Sequence, residues 1–334
     1  MIDALYQQRN QSSAGATFYE VRPLPFTALD TNYLGIRATA NAFLIDAPDG
    51  AVLCECGCAV SFDLLCTQLA QRGLKPRDLR ALFVTHIHLD HAGSAGHFAR
   101  EGVQVFVHPR GARHLMEPSR LIAGSRAVHG ALYDQFYGDP IAIDAKLLHA
   151  VEHDALIEVA GLRVRAIETQ GHARHHHAWT MRHAEHEGDD AELLFVGDVL
   201  GMISPGSSYI SIPVPPSDID IPAWRESIAK LRALPRNTRA ILTHGGEREL
   251  GPHLDRFTAR MNEELPLLAT LVEVARTDAR EADAQYQAFL EARARAEGVS
   301  EALIASLLGR TFRSMNLDGI KHSINAGLFE SSVE

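Results

Sequence analysis

The stretch Ala81-Leu82-Phe83-Val84-Thr85-His86-Ile87-His88-Leu89-Asp90-His91 joins an apolar run directly to four side chains that can bind metal. The apolar run has the composition of a buried β-strand. Side chains two residues apart in an extended chain point the same way, so His86 and His88 can hold one metal ion. Asp90 and His91 lie past the turn, at the start of the next helix, and face elsewhere. The stretch therefore makes two adjacent metal sites at one strand end geometrically possible.

Three more potential ligands follow predicted strands further along the chain. Each is preceded by a glycine or a threonine, in the pairs Gly171-His172, Gly197-Asp198 and Thr243-His244. Polar groups that follow strands of one sheet can meet at the same edge of that sheet. We therefore expect these three side chains to join the first group.

Short apolar runs bounded by turn residues predict the strands, and several of them are separated by helical periodicity. A hairpin turn at residues 48–50 joins the first two strands, and a helix follows Gly57 and ends at Gly73. The predicted strands span residues 42–46, 51–56, 81–85, 103–107, 155–159, 164–168, 178–181, 193–196 and 240–242. This mixture indicates an α/β fold with a layered sheet core covered by helices.

The composition changes near residue 250, after which Ala, Glu, Arg and Leu dominate at helical spacing. Residues 278–297 read as one amphipathic helix that Gly298 closes, and Ser300 caps another. We predict a catalytic domain over residues 1–250 and a helical C-terminal extension over residues 251–334.

Overall composition narrows the class of protein. The 334 residues are 46% hydrophobic and 22% charged, with a formal net charge of -10. The acidic balance and the lack of a basic patch argue against nucleic-acid binding, and no apolar run is long enough to span a membrane. Residues 1–10 show no secretory signal, so we expect a cytoplasmic protein. Cys54, Cys56 and Cys58 are expected to be reduced core residues.

Taken together, the motifs T-H-x-H-x-D-H, G-H, G-D and a late histidine after a strand resemble the metallo-β-lactamase superfamily. The resemblance spans roughly residues 20 to 250, with the pieces in the order and approximate spacing of the family. It implies a four-layer αββα sandwich, to which the C-terminal helical extension is added. The placement of that extension is similar to the C-terminal helices of glyoxalase II and of quorum-sensing-associated thioesterases.

The resemblance also implies a site for two divalent metal ions per chain. Zinc is the expected metal, with iron or manganese as alternatives, because mixed histidine and carboxylate ligands suit all three. Asp90 is in addition a candidate catalytic residue that moves a proton toward the leaving group. The implied ligands are His86, His88 and His172 for the first ion, Asp90, His91 and His244 for the second, and Asp198 as the bridge between them.

Two residues near these motifs are expected to support the ligands without touching metal. Many family members carry D-x-G before the first helix, whereas this chain has Glu55-Cys56-Gly57, so Glu55 aligns with that aspartate. A longer side chain can support the ligand loops only if its surroundings have adjusted. Within the run 175–177, His176 is the expected supporting histidine, because G-H-x-x-x-H is common in the superfamily.

Two segments are candidates for the wall of a substrate pocket. In residues 108–120, Arg113, His114 or Arg120 would bind an anionic or carbonyl group, although an ordinary helix start with solvated charges explains the same sequence. The loop over residues 202–222 follows Asp198 directly, and Tyr209 in this loop is a further candidate for a substrate contact.

These features favour a dinuclear metallo-hydrolase that acts on a small ester-like substrate, namely a thioester, a lactone or another carboxylic ester. Three alternatives stay open: a mononuclear iron oxygenase resembling persulfide dioxygenases, a small-molecule phosphodiesterase, and a binding module with a vestigial site. The expected partner is a small molecule, with neither nucleic acid nor membrane. The helical extension leaves a homodimer open.

Overall fold

A computed structural model describes residues 24–186 and 193–329 of the chain, so the N-terminal segment that we examined for a signal lies outside the described residues. The strands in this part are β1 (Phe26–Asp30), β2 (Asn41–Ala47), β3 (Gly50–Cys54), β4 (Leu79–Phe83), β5 (Gln104–Val107), β6 (Leu148–Ala150), β7 (Leu156–Val159), β8 (Leu162–Glu168), β9 (His177–His183), β10 (Leu193–Gly197), β11 (Met202–Ile203), β12 (Ile210–Ser211), β13 (Arg239–Leu242) and β14 (Gly246–Glu249). They form two six-stranded sheets, ordered β1-β2-β3-β4-β5-β6 and β14-β13-β10-β9-β8-β7, and a short β11-β12 hairpin.

Helices connect and cover these sheets. They are α1 (Phe62–Ala70), α2 (Leu89–Ala92), α3 (Ala95–Arg100), α4 (Pro109–Met116), α5 (Ser119–His129), α6 (Leu132–Phe136), α7 (Ile221–Arg232), α8 (Leu250–Ala275), α9 (Ala279–Ala296), α10 (Glu301–Leu307) and α11 (Arg310–Asn325). None of the helices in the described ranges is both long and apolar enough to cross a bilayer.

Alternating side chains on the central strands create the layers. On β2, Phe43 contributes to an apolar cluster between the two sheets, whereas its neighbour Leu44 packs in the cluster under the helices of the first sheet. On β10, Phe195 joins the same cluster between the sheets, and Leu194 packs under the helices of the second sheet. Both faces of each sheet are therefore buried, which confirms the predicted four-layer αββα sandwich.

The strands predicted from sequence are all present, with ends shifted by at most two residues. The helix predicted after Gly57 begins only at Phe62, because a turn of 3₁₀ helix precedes it. The prediction missed the hairpin β11-β12 and the strands β1, β6 and β14. These last three are short and lie at the edges of the two sheets, where apolar alternation is weak.

The directions of the strands bring their following loops together. In the first sheet β3, β4, β5 and β6 run parallel. In the second sheet β8 and β10 are both antiparallel to β9, and β13 is parallel to β10, so the loops after β8, β10 and β13 lie at one edge. Backbone hydrogen bonds from Asn41 to Thr243 and from His177 to Thr85 join the sheets near this edge.

The C-terminal helices cover the outer face of the second sheet. α8 carries the buried side chains Phe257 and Leu265, which pack in the same cluster as Tyr286 and Leu290 of α9. α11 packs on both of these helices and also contacts α5. The extension thus packs back over the sandwich, and α11 lies beside α5, one of the three helices between β5 and β6.

Candidate metal centre

The end of β4 delivers the first group of ligands. The chain leaves the strand after Phe83, passes through His86 and His88, and turns into the short helix α2 at Leu89. His88 Nδ1 lies 2.9 Å from His86 Nε2 and 3.0 Å from His172 Nε2, which arrives from the loop after β8. Three imidazole nitrogens from two strand ends therefore converge on one point.

The spacing of these nitrogens fits a metal ion. Ligand atoms about 2.05 Å from a tetrahedral zinc ion are about 3.3 Å apart, close to the distances between His88 and its two partners. A neutral imidazole has one proton and one lone pair. Hydrogen bonds place the protons of His86 and His172 on their outer nitrogens. The inner nitrogens of His86 and His172 therefore present lone pairs toward His88 Nδ1, which can carry at most one proton, so a cation among the three nitrogens would bind lone pairs that hydrogen bonds cannot all satisfy.

A second group of ligands lies beside the first. His244 Nε2 is 3.3 Å from Asp90 Oδ2, and His91 Nε2 is 3.7 Å from the same oxygen. The Nε2 atoms of both histidines are buried and make no hydrogen bond. Buried polar atoms normally have a partner, so this pair of nitrogens facing a carboxylate fits a second metal ion.

Asp198 connects the two groups. Its Oδ2 is 3.5 Å from His172 Nε2 on one side, and its Oδ1 is 3.3 Å from His91 Nε2 and 3.6 Å from His244 Nε2 on the other. Oδ1 is buried without a hydrogen bond. The carboxylate thus presents one oxygen to each group, so Asp198 could contribute to holding an ion at either of them.

Hydrogen bonds to the outer ring nitrogens orient the ligand histidines. A backbone carbonyl can only accept, so the nitrogen that faces it carries the ring proton and the opposite nitrogen keeps a lone pair for metal. The outer pairs are His172 Nδ1 with the Pro213 carbonyl at 3.0 Å, His244 Nδ1 with the Thr39 carbonyl at 2.6 Å, His91 Nδ1 with Glu55 Oε1 at 3.2 Å and His86 Nδ1 with Thr85 Oγ1 at 3.0 Å.

Glu55 organises the strand ends around the site. Its buried carboxylate accepts hydrogen bonds from the backbone N–H and hydroxyl of Thr85, from the hydroxyl of Thr243 and from His91. The Thr85 hydroxyl donates to Glu55 and therefore accepts from His86 Nδ1–H. The predicted supporting role of Glu55 thus has a structural basis, which includes an adjusted backbone, since Glu55 has φ 62°.

The two groups have opposite electrostatic character. Burial lowers the pKa of His86, with a further contribution from neighbouring histidines, and it lowers the pKa of His88 to about 3. Burial acts in the same direction on His91 and His244, but the carboxylates beside them, Asp198 foremost, outweigh it and raise both pKa values. The second group therefore attracts positive charge, which a divalent ion would supply.

His176 supports the bridge without joining the ligands. Its Nδ1 pairs with the Thr169 hydroxyl at 2.8 Å, and its Nε2 accepts a hydrogen bond from the backbone N–H of Asp198. Gly197 makes this approach possible, because a Cβ atom there would lie 2.6 Å from His176 Nε2 and the residue has φ 50°. The G-D motif thus requires glycine at position 197, because any side chain there would collide with His176.

A cavity of about 590 Å³ opens over the centre. It reaches four of the ligands, His88, Asp90, His172 and Asp198, and part of its wall comes from α4, α5 and the loop before α7. His114 and Arg120, two of the predicted substrate contacts, line this cavity. Segment 108–120 therefore fits both sequence interpretations, an ordinary helix start and a pocket wall. It begins with a capped helix, and two of its side chains line the cavity.

The other two predicted substrate contacts lie elsewhere. Arg113 is exposed beside the cavity, and its Nε donates to His114 Nε2. Tyr209 is fully buried, with its hydroxyl 3.2 Å from Arg260 Nη2 under the C-terminal helices. The interpretation of Tyr209 as a substrate contact is corrected here, because a side chain with no accessible surface and no place on the cavity wall supports the packing of α8.

The sequence interpretation missed a contact between a histidine and a carboxylate on the cavity wall. His175 Nε2 lies 3.6 Å from Asp218 Oδ2, and both residues line the cavity next to His88. The two are separated by 43 residues, and nothing local to either marks the contact. Thr85 and Thr243 were also overlooked, although a Thr-His pair at the end of two strands is a visible signal.

Comparisons with known proteins agree with this geometry. The sequence model of the Metallo-beta-lactamase superfamily matches residues 36–244. The chain is 29% identical over 153 residues to the metallo-beta-lactamase fold-containing protein ST1585 of Sulfurisphaera tokodaii, a match that covers 45% of this chain and 54% of the relative. The matched segment thus spans about half the length of that curated relative.

Two solved structures have the same fold. The archaeal metallo-beta-lactamase superfamily protein ST1585 from Sulfolobus tokodaii superposes with a TM-score of 0.62 at 20% identity, over 89% of this chain and 98% of that one. The metallo-beta-lactamase family protein TTHA1429 from Thermus thermophilus gives a TM-score of 0.62 at 21% identity, over 91% and 94%. The family match over residues 36–244, together with the fold, shows that the chain belongs to the metallo-beta-lactamase superfamily.

Proposed function

We propose that the protein is a dinuclear metallo-hydrolase that cleaves a small ester-like bond: a thioester, a lactone or another carboxylic ester. The observation that carries the proposal is the position of Asp198, with one oxygen toward each of two converging ligand groups. The cavity above the centre supports a small-molecule substrate, because its volume of about 590 Å³ is that of a typical small-ligand site.

Ions held here would supply Lewis-acid chemistry, which polarises a carbonyl group and acidifies water. The chain's own residues hold and orient the reacting groups. Asp90 lines the cavity with its carboxylate facing His244, so it can accept a proton on the reacting side and pass it to the leaving group. Burial and the nearby Asp198 carboxylate act to raise the pKa of Asp90, but its contacts with His91 and His244 outweigh them and keep that pKa low, so the carboxylate is ionised at neutral pH.

The test combines metal content with a survey of substrates. Protein purified without added metal is analysed for metal by elemental analysis and assayed with thioesters, lactones, simple esters and phosphodiesters. We expect two divalent ions per chain and hydrolysis of at least one carboxylic ester class. His88→Ala should lose an ion and turnover together, whereas the control His322→Ala, on α11 outside the cavity wall, should keep both. If the Asp90→Asn variant keeps its turnover, Asp90 is not the residue that transfers the proton.

Other results would assign a different function. One iron per chain, with oxygen uptake in the presence of a persulfide and no hydrolysis, would establish the oxygenase alternative. Turnover confined to phosphodiesters would establish the phosphodiesterase. A protein that binds a ligand equally well with and without His88 would be a binding module.

A further inference from the structure

A second cavity, of about 240 Å³, adjoins the first on the side of His244. The two cavities share part of their walls, made by Tyr33, His129, Tyr137, Met202, Phe312 and Met315. The first cavity touches four ligands of the metal centre, and the second touches His244. The metal centre therefore lies where the two cavities meet.

The second cavity is apolar. Among the described residues that line it there is no Asp, Glu, Lys or Arg, and Leu34, Ile203 and Phe312 contribute side chains. The hydroxyls of Tyr33 and Tyr137 lie 2.8 Å apart and hydrogen-bond to each other. Their polar ends therefore satisfy one another, and what the two rings offer to a ligand is mainly apolar surface.

Leu132 is an exposed apolar residue on the wall of the second cavity. It is 42% exposed and lines the second cavity at the start of α6. Val128 of α5, 39% exposed, lines the first cavity nearby. An apolar ligand in this space would cover surface that the protein itself leaves in water.

Within the described ranges, the wall of the first cavity, unlike that of the second, carries charged side chains. It carries Arg120 and His114 on one side and the pair of His175 and Asp218 on another. A substrate whose scissile bond lies at the metal centre would extend one part into each cavity. The charged wall suits a polar part, and the second cavity suits an apolar one.

We propose that the second cavity is a binding site for an apolar arm of the substrate, a hydrocarbon chain attached close to the bond that is cleaved. The proposal rests on the proposed hydrolase function and specifies its substrate class. The cavity volume of about 240 Å³ is limited, so the arm has a finite length that fits. Each methylene buried there should increase affinity about fourfold until the cavity is full.

The first experiment measures binding without metal or catalysis. Metal-depleted protein is titrated with straight-chain primary alcohols from butanol to decanol by calorimetry. We expect the association constant to rise about threefold to fourfold per methylene and then to level off. Leu132→Asp, which introduces a charge at the cavity, should flatten this rise. The control Leu156→Asp replaces an exposed leucine on β7, outside both cavities, and should leave the rise unchanged.

A filling variant tests the length limit. A Cβ atom at Gly309 would meet its nearest atoms only at 3.9 Å, and the residue has an ordinary φ of -62° at the start of α11. Gly309→Leu therefore fits the backbone and occupies part of the second cavity, so the levelling-off should occur at a shorter alcohol. The control Gly124→Leu adds the same side chain on α5 in the wall of the first cavity, where a Cβ atom also has free space, and should leave the alcohol series as it is.

The second experiment uses the metal-loaded protein and two ester series. One lengthens the acyl chain from acetyl to decanoyl on ethanol, and the other lengthens the alcohol from ethyl to decyl on acetate. We expect kcat/KM to rise with chain length in one series, which identifies the part of the substrate that carries the arm. Leu132→Asp should reduce kcat/KM for the long substrate at least about tenfold but for the shortest less than about twofold.

The outcomes separate the two proposals. Chain-length-dependent binding that Leu132→Asp abolishes, in a protein that hydrolyses no ester, would support the apolar site and contradict the hydrolase. Hydrolysis with no dependence on chain length in either series, together with alcohol binding that does not grow with length, would overturn the apolar site and leave the hydrolase standing. Equal effects of Leu132→Asp and Leu156→Asp would also overturn the site.

Discussion

Glu55 shows how much a single carboxylate contributes to this centre. It follows β3, is 1% exposed and lies in the left-handed backbone region, which costs a non-glycine residue about 1 kcal/mol. In exchange its oxygens face donors from the ends of β4 and β13 and from the ligand His91. One side chain thus fixes the relative position of loops that belong to both sheets.

Replacing this carboxylate by an amide keeps its shape and removes its charge. In Glu55→Gln the amide N–H groups would face other donors, so we expect the free energy of unfolding to fall by about 2–3 kcal/mol. His91 would lose its charged acceptor, and affinity for metal at the group of His91 and His244 should fall about tenfold to a hundredfold. Chelator competition and urea unfolding measure the two effects. Glu226→Gln, an exposed glutamate on α7, is the control, and equal metal affinity in the two variants would contradict the role of Glu55.

At the residue scale, local sequence predicts ligands better than it predicts their neighbours. His86, His88, Asp90 and His91 lie within six residues after one strand, so their proximity follows from chain geometry alone. Tyr209 was misinterpreted because a loop over a cavity and a loop under a helix have the same composition. Its burial depends on α8, about 50 residues away, and no property of residues 202–222 shows this contact.

At the scale of elements, α11 acts on the metal centre through a backbone segment. Asn316 donates from Nδ2 to the carbonyl of Ile212 and accepts from the N–H of Val214, and so holds the residues on both sides of Pro213. The Pro213 carbonyl is the acceptor that orients His172. The helical extension therefore sets the position of a ligand that belongs to the sandwich.

Close packing reinforces this contact. A Cβ atom at Gly319, one turn beyond Asn316, would collide with the Val214 carbonyl, so only glycine allows the helix to approach the segment. Asn316 is also held in place, because its Nδ2 donates to the Tyr286 hydroxyl at 2.8 Å. That hydroxyl in turn donates to Glu264 at 2.6 Å, so a buried polar chain links three helices behind the metal centre.

Asn316→Ala should remove the hydrogen bonds that hold residues 212–214 against α11. Two buried backbone groups would lose their partners, and we expect the free energy of unfolding to fall by about 2–4 kcal/mol. With His172 less firmly oriented, affinity for the first metal ion should fall about tenfold, more than affinity for the second. Metal titration of chelator-treated protein resolves the two steps. Asn325→Ala, at the exposed end of the same helix, is the control. A uniform loss at both metal steps would indicate a general effect on folding instead.

Sequence predicted the central elements well and the edge elements poorly. β4 and β10 are buried on both faces, so continuous apolar runs reveal them. β14 consists of Gly246 followed by charged residues and pairs only with β13, so its strand conformation comes from its neighbour and not from its own composition. The contact between α11 and residues 212–214 was equally invisible, because it joins segments about 100 residues apart.

At the scale of the whole molecule, buried histidines whose pKa values are lowered make stability depend on pH. His253 of α8 lies away from the ligand groups, in the fold's helical layer. It is 3% exposed, and its Nε2–H donates to the carbonyl of Leu200. Burial is the main reason that its pKa is lowered to about 4. The positive charges of Arg248 and Arg256 lower the pKa further, whereas the hydrogen bond to Leu200 acts to raise it. The ring is therefore neutral in the folded protein across the neutral and mildly acidic range.

The sign of the pH effect follows from this depressed pKa. An unfolded histidine titrates near 6.5, so between about pH 6.5 and 4 the unfolded chain binds a proton that folded His253 does not. Acidification thus favours unfolding, by about 2 kcal/mol at pH 5 for this group, and the effect is complete below pH 4. His253→Gln removes the titrating ring, so the loss of stability between about pH 7.5 and pH 5 should shrink by about that amount. Urea unfolding of chelator-treated protein at both pH values measures it, with His322→Gln as the matched substitution. If both variants lose stability on acidification as the parent protein does, His253 is not a source of the acid sensitivity.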